Sequence, residues 1–357
     1  MKICVVGAGS IGGLLGVRLS LVGEDVTLIA RGPHLAAIRD QGLKLIMSDG
    51  QEFVARQVKA TDDMHGVGPQ DLVILGLKAH QIAPIAADVR SLCGPNTVVL
   101  TTQNGIPWWY FHKHGGPYQG RRLTSVDPDG VIGDNIDADS IVGCIAYPAA
   151  EIAEPGVIRH IEGTRFPVGE LDGSQSERVK KISDLLIRAG FKSPILEDFR
   201  SELWLKLWGN LCFNPISALT HSTLVDICQF PKTRDLVREM MLEAQNIAHK
   251  LGVTFRVPLE KRIAGAEKVG KHKTSTLQDV EAGKPMEIEA LIGAVVELGE
   301  ITDTPTPYMK AVYACISLLG KTMEEEGIYI KGERIASKAD TLSIEDFQTS
   351  QQVAAAG

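Results

Sequence analysis

The run Ile3-Cys4-Val5-Val6, followed at once by Gly7-Ala8-Gly9-Ser10-Ile11-Gly12 and then by helical spacing from Ile11 to Leu21, constrains this chain more than any other feature. A G-x-G-x-x-G alone recurs by chance. Set between a strand and a helix, it specifies a tight turn, a close backbone approach and a helix N-terminus with free N–H groups. Those groups and the partial positive charge of the helix end suit a pyrophosphate, which predicts a dinucleotide site on a parallel α/β sheet. That reading is preferred to a glycine turn serving the backbone alone.

The alternation continues along the first half of the chain. Ile3–Val6, Val26–Ile29, Leu72–Leu75 and Val98–Thr101 are short β-rich runs separated by longer amphipathic stretches, the pattern of a doubly wound Rossmann-type sheet. Ile141–Tyr147, Val157–Ile161 and Arg165–Val168 lie too close together for helical crossovers and predict an antiparallel extension, so the sheet is expected to be mixed. From about Phe199 the period becomes helical. Leu203–Leu219, Lys232–Leu251, Pro258–Val269, Leu291–Leu298 and Thr306–Leu319 are broken by Gly and Pro, which predicts an all-helical second domain. The expected division is residues 1–197 for the dinucleotide domain, 198–335 for the helical domain and 336–357 for a polar C-terminal tail.

With 357 residues the chain exceeds what one core usually holds. Its net charge of −7 and the lack of a basic run longer than Arg121-Arg122 argue against nucleic acid as a partner and favour a small molecule. The six cysteines stand singly without a C-x-x-C pair, which predicts reduced packing residues and a reducing compartment. No stretch reaches the roughly 18 to 20 apolar residues that span a bilayer, and the first strand cannot be a cleaved signal without loss of the fold. A soluble, cytoplasmic protein without membrane association is expected. The nine histidines lack H-x-x-x-H spacing, so no metal is expected. The apolar helix from Pro307 to Leu319 is compatible with a homodimer.

Three groups of residues carry the chemistry. The second strand ends in Ala30-Arg31-Gly32, where a carboxylate would grip the 2′-hydroxyl of NAD; a guanidinium there forks onto a 2′-phosphate, so NADP(H) is favoured over an arginine that merely pairs with solvent or an acid. Lys78 and Gln81, in Leu77-Lys78-Ala-His-Gln81, and Asn104-Gly105 close two further strands at the carboxyl edge, where doubly wound sheets bind ligands. Each is ordinary loop chemistry taken singly, and together they point to one cleft. In Lys206-Leu-Trp-Gly-Asn210-Leu-Cys-Phe-Asn214-Pro, a helix stacks Lys206, Asn210 and Asn214 along one face while apolar residues crowd the others. Burying a cation and two amides is costly without partners, so the row either lines a wet cleft for an oxygen-rich substrate or bonds a neighbouring loop.

Taken in order, Gly7-x-Gly9-x-x-Gly12, Arg31, Lys78-x-x-Gln81, Asn104-Gly105, Lys206-x-x-x-Asn210-x-x-x-Asn214-Pro215 and Ser275-x-Leu-Gln-Asp279 with Glu287 resemble the ketopantoate reductase (2-dehydropantoate 2-reductase) family over nearly the whole chain. The resemblance implies NADPH-dependent reduction of ketopantoate to pantoate, in pantothenate biosynthesis, at a cleft between a Rossmann domain and a helical domain like that of 6-phosphogluconate dehydrogenase. It also implies that Lys206 is the catalytic lysine and Glu287 the carboxylate that anchors substrate. Asn104, Asn210, Asn214 and Ser275 match substrate contacts. Gly7, Ala8, Gly9, Ser10, Ile11, Gly12, Arg31, Lys78, Gln81 and Asn104 match the cofactor side. The chemistry is coherent: hydride arriving at C2 builds charge on the carbonyl oxygen, which an ammonium stabilises and protonates.

Two departures bear on the substrate. Leu224 stands where the family carries a further substrate-contacting asparagine, and an insertion beginning Pro107-Trp108-Trp109-Tyr110-Phe111 follows Asn104-Gly105. Four consecutive aromatics either pack against the helical domain, the favoured role, or line the pocket and admit a bulkier 2-oxo acid. The competing functions are therefore the same hydride chemistry on a bulkier 2-oxo acid, a dehydrogenase of the 3-hydroxy-acid or 6-phosphogluconate type, and a non-catalytic dinucleotide sensor. The sensor has no use for a proton donor such as Lys206.

Overall fold

The structure, a computed structural model, describes residues 1–327; the expected tail, 336–357, lies outside them. In chain order the strands are β1 (Lys2–Val6), β2 (Asp25–Ile29), β3 (Leu43–Ile46), β4 (Glu52–Ala55), β5 (Lys59–Thr61), β6 (Leu72–Leu75), β7 (Val98–Thr101), β8 (Ile141–Cys144), β9 (Ala149–Glu154), β10 (Val157–Glu162) and β11 (Val168–Gly169). The helices of the first half are α1 (Ser10–Leu21), α2 (Gly32–Gln41), α3 (Ala86–Arg90), α4 (Val131–Asn135) and α5 (Glu177–Arg188). Those of the second half are α6 (Phe199–Thr220), α7 (Leu224–Gln229), α8 (Pro231–Lys250), α9 (Leu259–Val269), α10 (Ser275–Glu281), α11 (Ala294–Ile301) and α12 (Pro307–Glu326).

The main sheet has the order β11-β8-β7-β6-β1-β2-β5, parallel throughout except for the antiparallel edge strand β11. β6, β7 and β8 are buried along their whole length, which is why they read as continuous apolar runs rather than alternating ones. The expected extension is real but divided. Ile141 opens a strand parallel to β7, and only β11 is antiparallel in this sheet. The hairpin β9–β10 joins β3 and β4 in a second sheet, ordered β4-β3-β10-β9, that sequence periodicity did not announce. Helix α1 packs between the two. Gly13 makes room for Ile158 of β10, and Gly16 for Leu28 of β2, where an added Cβ would stand 2.7 Å and 2.6 Å from the nearest side-chain carbon.

Helix α6 is the axis of the second half. The Asp198 side chain caps it by accepting from Ser201 N at 3.0 Å, so it starts one turn earlier than the apolar spacing suggests. It ends at His221, whose φ of 54° is left-handed. Trp204 and Trp208 are fully buried on it. The aromatic insertion packs here too: the Trp204 indole donates to the Tyr110 hydroxyl at 2.7 Å, Trp109 meets Phe199 at 6.0 Å, and Arg200 donates to the carbonyls of Tyr110, Leu171 and His112. Trp108, Trp109, Tyr110 and Phe111 are all buried, so they belong to the core that joins insertion and helix. Helices α7 and α10, too short for a clear period, emerge only in the fold. A π-turn at Glu289–Gly293 precedes α11. All six thiols are unpaired, and no helix among the described residues is long and apolar enough to cross a membrane.

Candidate active site

The carboxyl ends of β7 and β8 face the middle of α6, and Lys206 reaches across. Its ammonium donates to the Asn104 side-chain oxygen at 2.6 Å and to the Ala146 carbonyl, and it lies 5.7 Å from the centre of the Tyr147 ring. Burial pushes the Lys206 ammonium down to about 8, with the Glu287 carboxylate and the Cys144 thiol opposing the fall. The lysine is thus a cation at neutral pH that gives up its proton far more readily than an exposed one.

Asn104 joins the lysine to the carboxylate. Its amide nitrogen donates to Glu287 Oε2 at 3.4 Å while its oxygen accepts from Lys206. The other Glu287 oxygen accepts from Ala79 N at 3.0 Å, just after Lys78. A backbone contact also joins these distant segments. Ile106 N donates to the Ala290 carbonyl at 2.8 Å, and Gly105, with φ of 88°, sits so close to Ala290 that an added Cβ would lie 2.8 Å from its Cβ and nearer still to its carbonyl. Only glycine combines that φ with that approach.

Below Lys206, Tyr147 and Glu202 form a braced layer. The Tyr147 hydroxyl donates to Glu202 at 2.8 Å, Arg165 donates to the same oxygen at 2.6 Å, and Arg256 donates to the carboxylate at 3.2 Å. Burial alone would raise the Glu202 pKa, but the hydrogen bonds from Arg165 and Tyr147 and the charge of both arginines hold it below its ordinary range. Burial, together with Glu202, pushes the Tyr147 phenol up to about 12. Sequence reading missed this layer. Glu202 does carry a signal, since it lies one helical turn before Lys206 on the same face; Tyr147 and Arg165 carry none.

The remaining residues of the row extend along α6. Asn214 is buried and its amide donates to Ser275 Oγ of α10 at 3.4 Å; among the described residues the Asn210 side chain has no hydrogen-bond partner. Lys78 turns its ammonium across the cleft to Asp279 at 2.6 Å and to the Pro285 carbonyl at 3.1 Å, while its backbone N–H donates to the Gln81 side chain at 3.1 Å. Burial raises the Asp279 carboxyl, with Lys78 opposing.

The nucleotide half of the cleft fits a dinucleotide on its own geometry. Gly7 has φ of 95° and packs on Leu77, and a Cβ on Gly12 would stand 3.1 Å from Val5 and collide with the Gly7 carbonyl. Ala8 is buried with its N–H donating to the Ile29 carbonyl at 2.9 Å; Gly9 is the N-cap and supplies no side-chain cap to Ser10 and Ile11, leaving the first amides of α1 available to a ligand. His34 accepts from Gly156 N at 3.0 Å through Nδ1 and therefore donates through Nε2 to the Ala8 carbonyl at 2.8 Å, tying this loop to the second sheet. Arg31, at the N-cap of α2, is exposed and has no ion pair among the described residues. No group of three or more His, Cys, Asp or Glu side chains among the described residues is placed to hold a metal ion.

Comparison with known proteins agrees over both halves. The family described as ketopantoate reductase PanE/ApbA matches residues 3–173, and its C-terminal counterpart matches 198–320. A 2-dehydropantoate 2-reductase of Mesorhizobium japonicum is 50% identical over 330 residues, covering 92% of this chain and 100% of that one. A crystal structure of a candidate ketopantoate reductase from Ralstonia solanacearum MolK2 superimposes with a TM-score of 0.86 at 38% identity, covering 92% of this chain and 99% of its own. The fold is also that of D-mandelate dehydrogenase in a ternary structure with NADH and anilino(oxo)acetate, with a TM-score of 0.77, 21% identity and coverage of 91% and 100%. Two family models laid end to end over a glycine-turn sheet and a lysine-bearing helix, with a half-identical relative, leave one assignment: the chain belongs to the ketopantoate reductase family.

Proposed function

We propose that this enzyme reduces 2-dehydropantoate to pantoate with NADPH, that Lys206 is the proton donor and that Glu287 anchors the substrate. The observation that carries the reading is the Lys206 ammonium, held by Asn104 and Ala146 at the carboxyl edge of the sheet with its pKa brought down to about 8. A bound nicotinamide dinucleotide would supply the hydride. Lys206 Nζ would stabilise the growing charge on the substrate's carbonyl oxygen and pass its proton there. Glu287 would accept from a substrate hydroxyl and keep Lys206 charged. Asn210, Asn214 and Ser275 would orient the acid, since amides and hydroxyls both donate and accept. The free guanidinium of Arg31 supports NADPH over NADH.

The half-identical reductase of Mesorhizobium japonicum supports ketopantoate as the substrate. Of the two departures that motivated a bulkier acid, the aromatic run is buried against α6, which removes that motive, while Leu224 stands at the start of α7. The test is NADPH oxidation followed by its absorbance with ketopantoate and a panel of bulkier 2-oxo acids, beside Lys206→Ala. Turnover of ketopantoate that collapses in the variant is the expected outcome. Turnover confined to bulkier acids would overturn the substrate, and an active Lys206→Ala would overturn the proton donor.

A further inference from the structure

The segment that carries Glu287 is held by two sets of contacts. One is already described: Ile106 N donates to the Ala290 carbonyl at 2.8 Å, and the Glu287 carboxylate accepts from Ala79 N at 3.0 Å and from Asn104 at 3.4 Å. The other comes from α12, where the Tyr313 hydroxyl donates to the Glu289 carboxylate, 2.9 Å and 2.8 Å from its two oxygens. Burial, with the Glu289 carboxylate beside it, pushes the Tyr313 phenol up to about 12, so it remains a donor at neutral pH. Among the described residues it is the one hydrogen-bond partner of the Glu289 side chain.

Between the two lies the π-turn Glu289–Gly293. A π-turn fits one extra residue into a helix, is rare, and recurs at functional sites. Its last residue shows how the second tie is built. A Cβ on Gly293 would collide with Glu289 Oε2 and stand 3.1 Å from the Tyr313 hydroxyl, so the Glu289 side chain folds back along its own turn, over Gly293, to reach α12. Exposed as it is, this bond adds little to global stability. Its leverage is local, because Leu291 N in the π-turn donates to the Glu287 carbonyl at 3.2 Å, and a displaced turn therefore moves Glu287 with it.

Glu287 is the group through which such a displacement reaches the chemistry. The titratable groups facing Lys206 are Glu287, Cys144 and Tyr147. Burial pushes the Cys144 thiol and the Tyr147 phenol up to about 12 each, so both are uncharged at neutral pH, and Glu202, bonded to Tyr147, is balanced by Arg165 and Arg256. The charge left to tune the lysine is that of Glu287. We propose that Glu289 and Tyr313 are positioning residues of the active site, fastening the π-turn to α12 so that Glu287 keeps its place between Ala79 N and Asn104. This rests on the reading of Glu287 as the substrate anchor and of Lys206 as the proton donor.

The experiment measures pH profiles of kcat and kcat/KM for ketopantoate at saturating NADPH in Tyr313→Phe and Gly293→Ala, each alone and combined with Glu287→Gln, with thermal unfolding alongside. Tyr313→Phe removes one oxygen at the wall of an open cavity shared with Arg121 and Glu297, so the packing is kept. Gly293→Ala drives the Glu289 carboxylate off Tyr313 at a helical φ of −57°, which suits alanine. Each is expected to lower kcat/KM about three- to tenfold, mostly through KM for the acid, and to bring the fall of kcat at high pH, which reports Lys206, to lower pH. In the Glu287→Gln background the same changes should cost less than about twofold and leave that fall in place. Lys310→Ala, which breaks the bond from α12 to Glu300 at 2.9 Å, should alter neither quantity. Wild-type kinetics and pH profile in both variants, equal losses with and without Glu287, or a matching loss in Lys310→Ala would overturn the brace. A Glu287→Gln variant with wild-type kinetics would instead overturn the reading of Glu287, and the brace with it.

Discussion

Replacing Gly105 by alanine tests whether one backbone contact assembles the active site. Gly105 has φ of 88°, and the new Cβ would lie 2.8 Å from the Ala290 Cβ and closer to its carbonyl. Carbon atoms rest about 3.5 to 4.0 Å apart, so the segment carrying Ala290 must retreat by about 1 Å. Glu287 lies three residues before Ala290, and its bond to Asn104 is already long at 3.4 Å. A retreat of that size breaks it. Hydrogen bonds to charged groups contribute about 1.5 to 3 kcal/mol, which at about 1.4 kcal/mol per tenfold predicts a fall in kcat/KM of about 10- to 100-fold. Left-handed φ in a residue with a Cβ adds about 1 to 2 kcal/mol of destabilisation. Gly50→Ala separates the two effects, because Gly50 has φ of 85° with nothing within 4 Å of its would-be Cβ. Steady-state kinetics at saturating NADPH, with thermal unfolding alongside, should show both variants destabilised and only Gly105→Ala impaired in turnover. Its NADPH affinity should hold, because the glycine turn after β1 is untouched. Wild-type kcat/KM in Gly105→Ala, or equal loss in Gly50→Ala, would refute the reasoning.

Lys206, with its pKa lowered to about 8, must be protonated for carbonyl reduction, so kcat should be level below that pH and fall above it, while pantoate oxidation, which needs the free amine, should rise through the same range. Glu287→Gln removes the charge that opposes the fall in the Lys206 pKa and should move the descending limb to lower pH; a limb that stays in place would show that another group titrates. Arg31→Ala should raise KM for NADPH at least about tenfold more than for NADH, the loss of a guanidinium–phosphate pair, and equal effects on the two cofactors would assign Arg31 no part in their discrimination.

Much of this protein is local and therefore legible in one dimension. β1, the glycine turn and α1 follow from an apolar run, three spaced glycines and a helical period, and the row Lys206, Asn210, Asn214 follows from 3.6 residues per turn. The helical second half is legible for the same reason, with boundaries displaced where Asp198 caps α6, where a π-turn precedes α11 and where α12 runs on to Glu326. The second sheet is less visible, because β3 and β4 are four-residue strands and the pairing of β3 with β10 joins segments about 110 residues apart. The aromatic run illustrates a different limit: its composition says that it is buried, and only the fold says against what.

The sequence by itself determined the dinucleotide turn, the helix with its polar face and the residue types able to carry out the chemistry, since each depends on neighbours within a few residues. Only the tertiary structure decided that Lys206 meets Asn104, 102 residues away, and that Asn104 meets Glu287, 183 residues away. It decided as well that burial lowers the lysine's pKa and that Glu289, folded over Gly293, meets Tyr313 of α12. Side-chain proximity and desolvation are properties of packed chains; no spacing along the polymer encodes them directly.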